Sequence, residues 1–600
     1  MSWLFGILAA ALFVDALRMR GRLGGLARLS DESADPAAVE LVTSPGAEVP
    51  DEIRARAAAH CRANQLQALD LIPRDLPVQR TLALASLVDP REFRKQRLAQ
   101  GRTAGHALAL DPAMCERAGI TPGEAADPVA FIRIATKAKA YAPAATDLAV
   151  ARGLRAGHED GGKRLAVTKE VIGGVTPYVL AVQLIIFALL VLGVALPGAR
   201  LWGLVALGVF HLQPIVATLS TPLLPRDLLP MTLLRLPWEI LSWLRTVTGR
   251  WRPDDADPVD ERRPAYRELL AGDPQRFFEP RRESCPVCDG KALSVHLRTR
   301  DLLQHKPGRF TLERCDDCGH IFQNPRLSRE GLDFYYRDFY DGLGEKGMEF
   351  IFGYSSESYV DRANMVKQHA RPSRWLDVGT GHGHFCCVAK ELLPDTRFDG
   401  LDLSESVEEA ERRGWIATGH RGLFPDRARD IAGSYDVVSM HHYLEHTLDP
   451  ASELAAAYTA LADGGHLLIE VPDPDCRLGH WLGRWWLPWF QPQHQHLLSV
   501  ANLERLLEKN GFHTVEWHRG EAHQQVDFLF ALYLILDRIA PPTNVPWREP
   551  PGLARRAWRA LVWTVGVPFM ALARLADQLA SPAMRRARAS NTYRVLAQKS

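Results

Sequence analysis

The run RWLDVGTGHGHF, Arg374 to Phe385, restricts this chain more than any other stretch. Trp375 to Val378 read as a buried strand, and the glycines at 379, 381 and 383 force a bare turn before a helix that starts near His384. A strand that passes into a helix through naked backbone suits a nucleotide-type cofactor, because a β-carbon would hold the ligand away. The dinucleotide fingerprint GxGxxG needs its third glycine at position 384, where histidine stands, so a nicotinamide cofactor is disfavoured. Downstream, FDGLDLSE ends a second strand at Asp402, whose carboxylate can accept both ribose hydroxyls of an adenosine.

Ahead of this stretch, Cys285-Pro-Val-Cys288 and Cys315-Asp-Asp-Cys318 stand 26 residues apart. Each CxxC turn can aim two sulfurs at one ion, and Gly290 and Gly319 suit tight knuckles. Four thiolates leave no position open for water, so the spacing predicts a structural Zn2+ and not a catalytic one. The nine cysteines are an odd number with four in such pairs, which points to a reducing compartment rather than a disulfide framework.

The pattern DxGxGxG is met at Asp377, Gly379, Gly381 and Gly383. Here the chain resembles the class I S-adenosylmethionine-dependent methyltransferases, in the branch where a two-CxxC zinc-binding module precedes the catalytic domain. The resemblance spans about residues 283–600 and rests on landmarks in family order: CPVC, RCDDCGHIFQNPR, the glycine loop, Asp402, YDVVSMHHYLEHTLDP, LADGGHLLIEVPDPD, PQHQHLLSVANLERLLEKNGF and a closing strand NTYRVLAQK. It implies a Rossmann-like α/β domain in which the glycine loop cradles the methionine part of the donor, Asp402 holds the ribose and Asp377 orients the loop. The stretch ATGHRGLFPD departs from the family's acidic adenine contact, and no residue is assigned to that role.

Methyl transfer from a sulfonium needs alignment first and a base only if the nucleophile is weak. The residues placed to face an acceptor are HHYLEH, with Glu445 and His446, and PQHQH, with His494. A neutral His494 imidazole can take a proton, and Glu445 and His446 can line the acceptor site or contact a metal. As plain structure, Glu445 and His446 would cap the following helix and His494 would order a loop.

The remaining residues read as membrane-associated. Tyr178 to Leu196 carries no charge over nineteen residues, near the roughly 20 that cross a hydrocarbon core. Leu201 to Leu224 is also uncharged, but His211, Gln213 and Pro214 make it the less certain arm of a transmembrane helical hairpin, with a buried soluble helix pair as the alternative. Arg226 to Arg252 alternates tryptophan and arginine among leucines and suits a headgroup layer. The N-terminal run Trp3 to Leu17 reads as an anchor or interfacial helix, not a signal peptide, and flanking cations place residues 20–175 and those after 225 in the cytoplasm. HWLGRWWLPWF fits a greasy acceptor, a membrane interface or a packed lid.

The expected organisation is therefore residues 1–28 as anchor, 29–172 as an α/β-like domain, 173–252 as hairpin and interfacial helix, 253–282 as a charged linker, 283–330 as zinc module and 331–600 as methyltransferase domain with an apolar helical insertion at 527–580. TDLAVARGLRAGHEDG faintly resembles an acidic motif of membrane glycosyltransferases, but the Gln/Arg/Trp signature expected after it is absent. Lys and Arg total 72 against 71 acidic residues, which gives no field for nucleic acid. The expected activity is methyl transfer from S-adenosylmethionine to a lipid or lipid-linked acceptor at a membrane. A nucleotide- or polyprenyl-linked sugar is the second acceptor class, and a non-catalytic donor-binding scaffold is the reading from another class.

Overall fold

The computed structural model describes residues 2–95, 102–157, 162–173, 176–249, 258–337, 356–519, 525–587 and 590–600. It divides into the units Met1–Ala256 and Asp257–Ser600. Arg250 and Trp251 of the headgroup segment, the HEDG of the glycosyltransferase-like piece and part of the expected linker lie outside the described residues.

In the first unit, strands β1 (Ala27–Arg28), β2 (Glu40–Thr43), β3 (Ala68–Pro73), β4 (Ala107–Leu110), β5 (Gly123–Glu124) and β6 (Thr146–Ala151) form one sheet in the order β1-β6-β3-β4-β2-β5. Every residue of β3 is buried, because Leu69 and Leu71 pack into one core and Ala68 and Ile72 into clusters on the other face. That two-sided cover explains why the strand reads as an apolar run without alternation.

Four apolar helices, Ser2–Gly24, Thr176–Ala195, Arg200–Thr218 and Leu228–Thr248, share a second core around Leu12, Phe187, Leu190 and Phe210. The middle two meet at Gly193 and Gly203, where a β-carbon on Gly203 would come within 2.1 Å of the Gly193 backbone. Among the described residues of these four, Ser2–Gly24 and Arg200–Thr218 are long and apolar enough to cross a membrane, while Val179–Ala195, the arm expected to be the firmer span, counts as a shorter apolar helix. The polar groups of Arg200–Thr218 are answered internally: His211 Nδ1 lies 2.6 Å from the Thr232 carbonyl, and Gln213 donates to Asp15 at 2.9 Å. The headgroup reading needs a correction at Arg235, which is buried over the Phe210 ring and donates to the Phe210 carbonyl.

The second unit centres on a seven-stranded sheet of β10 (Arg374–Val378), β11 (Arg397–Asp402), β12 (Gly419–Arg421), β13 (Tyr435–His441), β14 (Leu461–Pro472), β16 (Phe512–His518) and β17 (Thr592–Lys599). Its order is β12-β11-β10-β13-β14-β17-β16, parallel except for β17, which is antiparallel to both neighbours. The order in which strands are added reverses between the parallel neighbours β10 and β13, the switch point at whose carboxyl ends such sheets bind ligands. The expected insertion is present between β16 and β17, as helices Asp527–Ile539 and Leu553–Arg586.

Strands β7 (Leu293–Thr299), β8 (Phe310–Cys315) and β9 (Ile321–Gln323) form a smaller antiparallel sheet, with Cys315 ending β8 and Cys285, Cys288 and Cys318 in the turns beside it. Its edge is completed by β15 (His496–Leu497), so the expected discrete module 283–330 is stitched into the catalytic part. Residues 253–282, expected to be a linker, hold instead the helix Pro258–Ala271 and a turn at Pro274–Phe277. Tyr266 and Phe277 are buried there with Phe310, Leu327, Phe334 and Tyr335. Charge and proline mark a surface, and here two aromatics pin that surface to a core.

Candidate active site

The loop after β10 carries all three glycines in left-handed backbone, with φ of 74°, 53° and 76° at 379, 381 and 383. Their surroundings differ. A β-carbon on Gly379 would stand 2.7 Å from the Tyr443 ring, and one on Gly383 would stand 3.1 Å from Ala410. One on Gly381 would meet nothing within 4 Å among the described residues, which leave open space beside it.

Asp402, at the end of β11, accepts the Gly381 amide at 2.9 Å with one oxygen and the Ser404 amide at 2.9 Å with the other. Each oxygen keeps a lone pair for a further donor. Leu403 beside it is 62% exposed, an apolar surface next to a carboxylate. Asp377 was expected to orient the loop, but the loop amide belongs to Asp402. Asp377 is buried, accepts the Ser439 hydroxyl at 2.6 Å and reaches the loop through the Thr380 hydroxyl. Burial pushes its carboxyl up to about 6 against those two hydrogen bonds.

Beside β10, β13 runs into a short helical turn, Leu444–His446, and a later loop brings His494 to it. The His446 and His494 ring centroids lie 4.7 Å apart. The Nδ1 of His446 faces the Gln493 carbonyl at 3.1 Å, and that of His494 faces the Pro488 carbonyl at 2.8 Å. Because a carbonyl only accepts, both Nδ1 atoms carry hydrogen and both Nε2 atoms keep their lone pairs. Burial, with the charge of neighbouring His446, lowers His494 to about 3, so it is a neutral imidazole. Burial lowers His446 as well.

Glu445 is buried, with one oxygen 3.0 Å from His442 Nδ1 and the other buried without a hydrogen-bond partner among the described residues. Burial would raise its carboxyl, but the His442 hydrogen bond and the charge of His442 carry it below the usual range. One ligand atom each from Glu445, His446 and His494 lies within 4.8 Å of the others. Two imidazoles fixed by carbonyls and a carboxylate oxygen left over are what a divalent cation requires. Neither His446 nor Glu445 caps the helix Pro450–Ala460; Asp449 does that, accepting from Ala451 and Ser452.

Several residues escaped the sequence reading. Tyr336 donates to the Gln493 carbonyl at 2.7 Å beside His446. Glu470 is buried between Arg362, Arg594 at 2.6 Å and His442 at 3.3 Å, which anchors His442 and through it Glu445. Burial would raise Glu470, but the two arginines hold it well below its ordinary range. Its signal was a lone acid inside the apolar strand LLIEVP. The tryptophan cluster divides: Trp486 and Trp489 are buried against each other, while Trp481 is 72% exposed.

The four cysteine sulfurs converge within 4.8 Å, with Cys285 3.7 Å from Cys318 and Cys288 3.6 Å from Cys315. Metal–sulfur bonds of about 2.3 Å in a tetrahedron give sulfur–sulfur edges of about 3.8 Å, so the set fits a single ion.

Residues 357–516, which contain both the donor loop and the three converging side chains, match the family model described as a methyltransferase domain. These 160 residues of the chain's 600 are similar to methyltransferase domains. A ubiquinone biosynthesis O-methyltransferase of Vibrio parahaemolyticus serotype O3:K6 is 35% identical over 102 residues, covering 16% of this chain and 42% of that protein. A protein named as uncharacterized, encoded in transposon TN4556 of Streptomyces fradiae, is 36% identical over 115 residues, covering 18% and 32%. The chain thus spans under half the length of these curated relatives. Among solved structures, human N-acetylserotonin methyltransferase in complex with SAM aligns at 17% identity and TM-score 0.27, covering 32% of this chain and 55% of that one. A SAM-dependent methyltransferase from Archaeoglobus fulgidus aligns at 17% and 0.25, covering 42% and 100%.

Proposed function

We propose that the chain is a membrane-associated methyltransferase that transfers the methyl group of S-adenosylmethionine to a hydroxyl of a lipid or lipid-linked acceptor on the cytoplasmic side. The observation that supports this reading is a glycine loop bound by Asp402 after β10 together with three polar side chains that converge after and beyond the neighbouring strand β13. In this reading, Gly381 admits the methionine part of the donor and Asp402 holds the ribose hydroxyls. The acceptor oxygen attacks the methyl carbon, the carbon–sulfur bond breaks toward S-adenosylhomocysteine, and His494 Nε2 takes the hydroxyl proton. A divalent cation held by Glu445, His446 and His494 would engage that same Nε2 lone pair, so it would supply acidification of the hydroxyl in place of the imidazole base. Cys285, Cys288, Cys315 and Cys318 hold a structural Zn2+ that ties β8 to its flanking turns.

An oxygen nucleophile agrees with relatives named for O-methylation in ubiquinone biosynthesis. A greasy acceptor agrees with three helices apolar and long enough to cross a membrane, one of them inserted in the methyltransferase domain. The deciding assay offers membrane-extracted and water-soluble acceptors to the purified chain with labelled S-adenosylmethionine. Turnover confined to soluble metabolites refutes the lipid acceptor, and donor binding without turnover in any extract refutes the enzyme.

A further inference from the structure

The helix Leu553–Arg586 has two unlike faces. One is fixed to the protein. Gly566 packs so closely on Leu536 that a β-carbon would come within 2.5 Å of it, Trp563 meets Tyr533 at 5.3 Å, and Asp577 accepts the Phe528 and Leu529 amides at 2.9 and 3.0 Å. The other face bears Trp558, Leu561, Val565, Phe569, Leu572 and Leu579, each 52–74% exposed. Their spacing of three, four, four, three and seven makes one continuous stripe along a helix, about 32 Å long at a rise of 1.5 Å. Water would face an apolar band of that length, which marks a surface made for another apolar phase.

Two features decide which phase it is. The helix carries six arginines against one aspartate, with Arg555 and Arg556 at its start and Arg585 and Arg586 at its end. Cations at both ends of an apolar stripe complement a layer of anionic headgroups. The helix is also prevented from crossing. Its partner Asp527–Ile539, at about 20 Å, is shorter than a hydrocarbon core of about 30 Å. Both ends of the insertion return to the sheet, at β16 and β17, and its tip is bound: Arg263 donates to Asn544 at 2.7 Å, and Tyr266 packs on Trp547 at 5.4 Å.

We infer that this insertion is an in-plane strap by which the methyltransferase unit itself lies on a bilayer carrying anionic lipid, with the stripe sunk among the acyl chains. The strap adjoins the acceptor wall. Asp527, at the start of its short helix, accepts the Trp486 indole at 2.8 Å, and Trp486 packs on Trp489 next to Pro488, whose carbonyl fixes His494. This deepens the lipid-acceptor reading, although its geometry holds whatever the acceptor is.

The test is photocrosslinking of the full chain in vesicles of phosphatidylcholine with phosphatidylglycerol as the minor lipid. p-Benzoylphenylalanine replaces Val565, Leu572 or, as a control, Asp463, whose side chain is fully exposed on β14. Retained binding of S-adenosylmethionine certifies each variant as folded. Phospholipid adducts at 565 and 572 and none at 463 are expected, with loss of yield when phosphatidylglycerol is omitted. Equal adducts at all three sites, none at any, or adducts joining two copies of the chain would overturn the strap. A yield indifferent to phosphatidylglycerol would overturn the role of the arginines. Turnover does not enter the readout, so failure of the strap and failure of the lipid acceptor are separate results.

Discussion

Alanine at Gly381 and alanine at Gly379 should separate donor binding from folding. Both positions are left-handed, and a side chain there costs roughly 1–2 kcal/mol of backbone strain. At Gly381 that is the whole penalty, because the new β-carbon enters open space. At Gly379 the carbon also meets the Tyr443 ring at 2.7 Å, and overpacking of this kind adds about 1–3 kcal/mol. The free protein with Gly379→Ala should therefore lose about 2–5 kcal/mol of stability, against about 1–2 for Gly381→Ala. Binding should fall in the opposite sense. The Gly381→Ala methyl lies in the space assigned to the donor, and crowding worth about 1.4–3 kcal/mol reduces affinity roughly 10- to 150-fold. Thermal unfolding of the full chain in detergent and titration calorimetry with S-adenosylmethionine read the two quantities. Donor affinity for Gly381→Ala within twofold of the parent would refute the placement of the methionine portion. A Gly379→Ala protein as stable as Gly381→Ala would refute the packing assigned to Tyr443.

Three other outcomes follow from the site. Replacing His494 with Gln should leave donor binding intact and reduce turnover roughly 10²- to 10⁴-fold, the range for loss of a general base, as read by single-turnover methyl transfer. Cys288→Ser should remove one equivalent of tightly bound zinc by elemental analysis and lower the unfolding temperature, and strong chelation of the parent should do the same. Glu453 is buried beside the Tyr443 hydroxyl, which donates to it at 3.1 Å, and burial raises its carboxyl from 4.5 to about 8 despite that bond. The folded chain thus holds this proton more tightly than the unfolded one. The associated stability is complete below pH 4.5, declines as pH rises to about 8 and is flat above. Denaturant unfolding across that window should show the decline, and Glu453→Gln should remove it.

Much of the catalytic core was legible because its signals are local. Left-handed backbone at three alternating positions demands glycine, a buried parallel strand demands an apolar run, and two CxxC turns present sulfurs in pairs wherever they sit. These follow from the dihedral angles and short periods of the chain itself. The zinc-type site needed only that two such turns meet, and β7 pairing with β8 brings them together. Residues 253–282 failed as a linker because a charged helix says nothing of the two aromatics it buries. Arg235 failed as a headgroup residue because a helical arginine shows its direction only when its neighbour, here Phe210, is known.

The sequence by itself determined the glycine loop, the second-strand carboxylate, the paired thiolates and the apolar helices, all through the backbone geometry and spacing of residues close in the chain. Only the tertiary structure decided that His494, 48 residues beyond His446, packs beside it, that Asp402 and not Asp377 holds the Gly381 amide, and which face of Leu553–Arg586 remains bare. Those outcomes depend on packing between distant segments, where each contact exists only if every strand and helix between them is already in place.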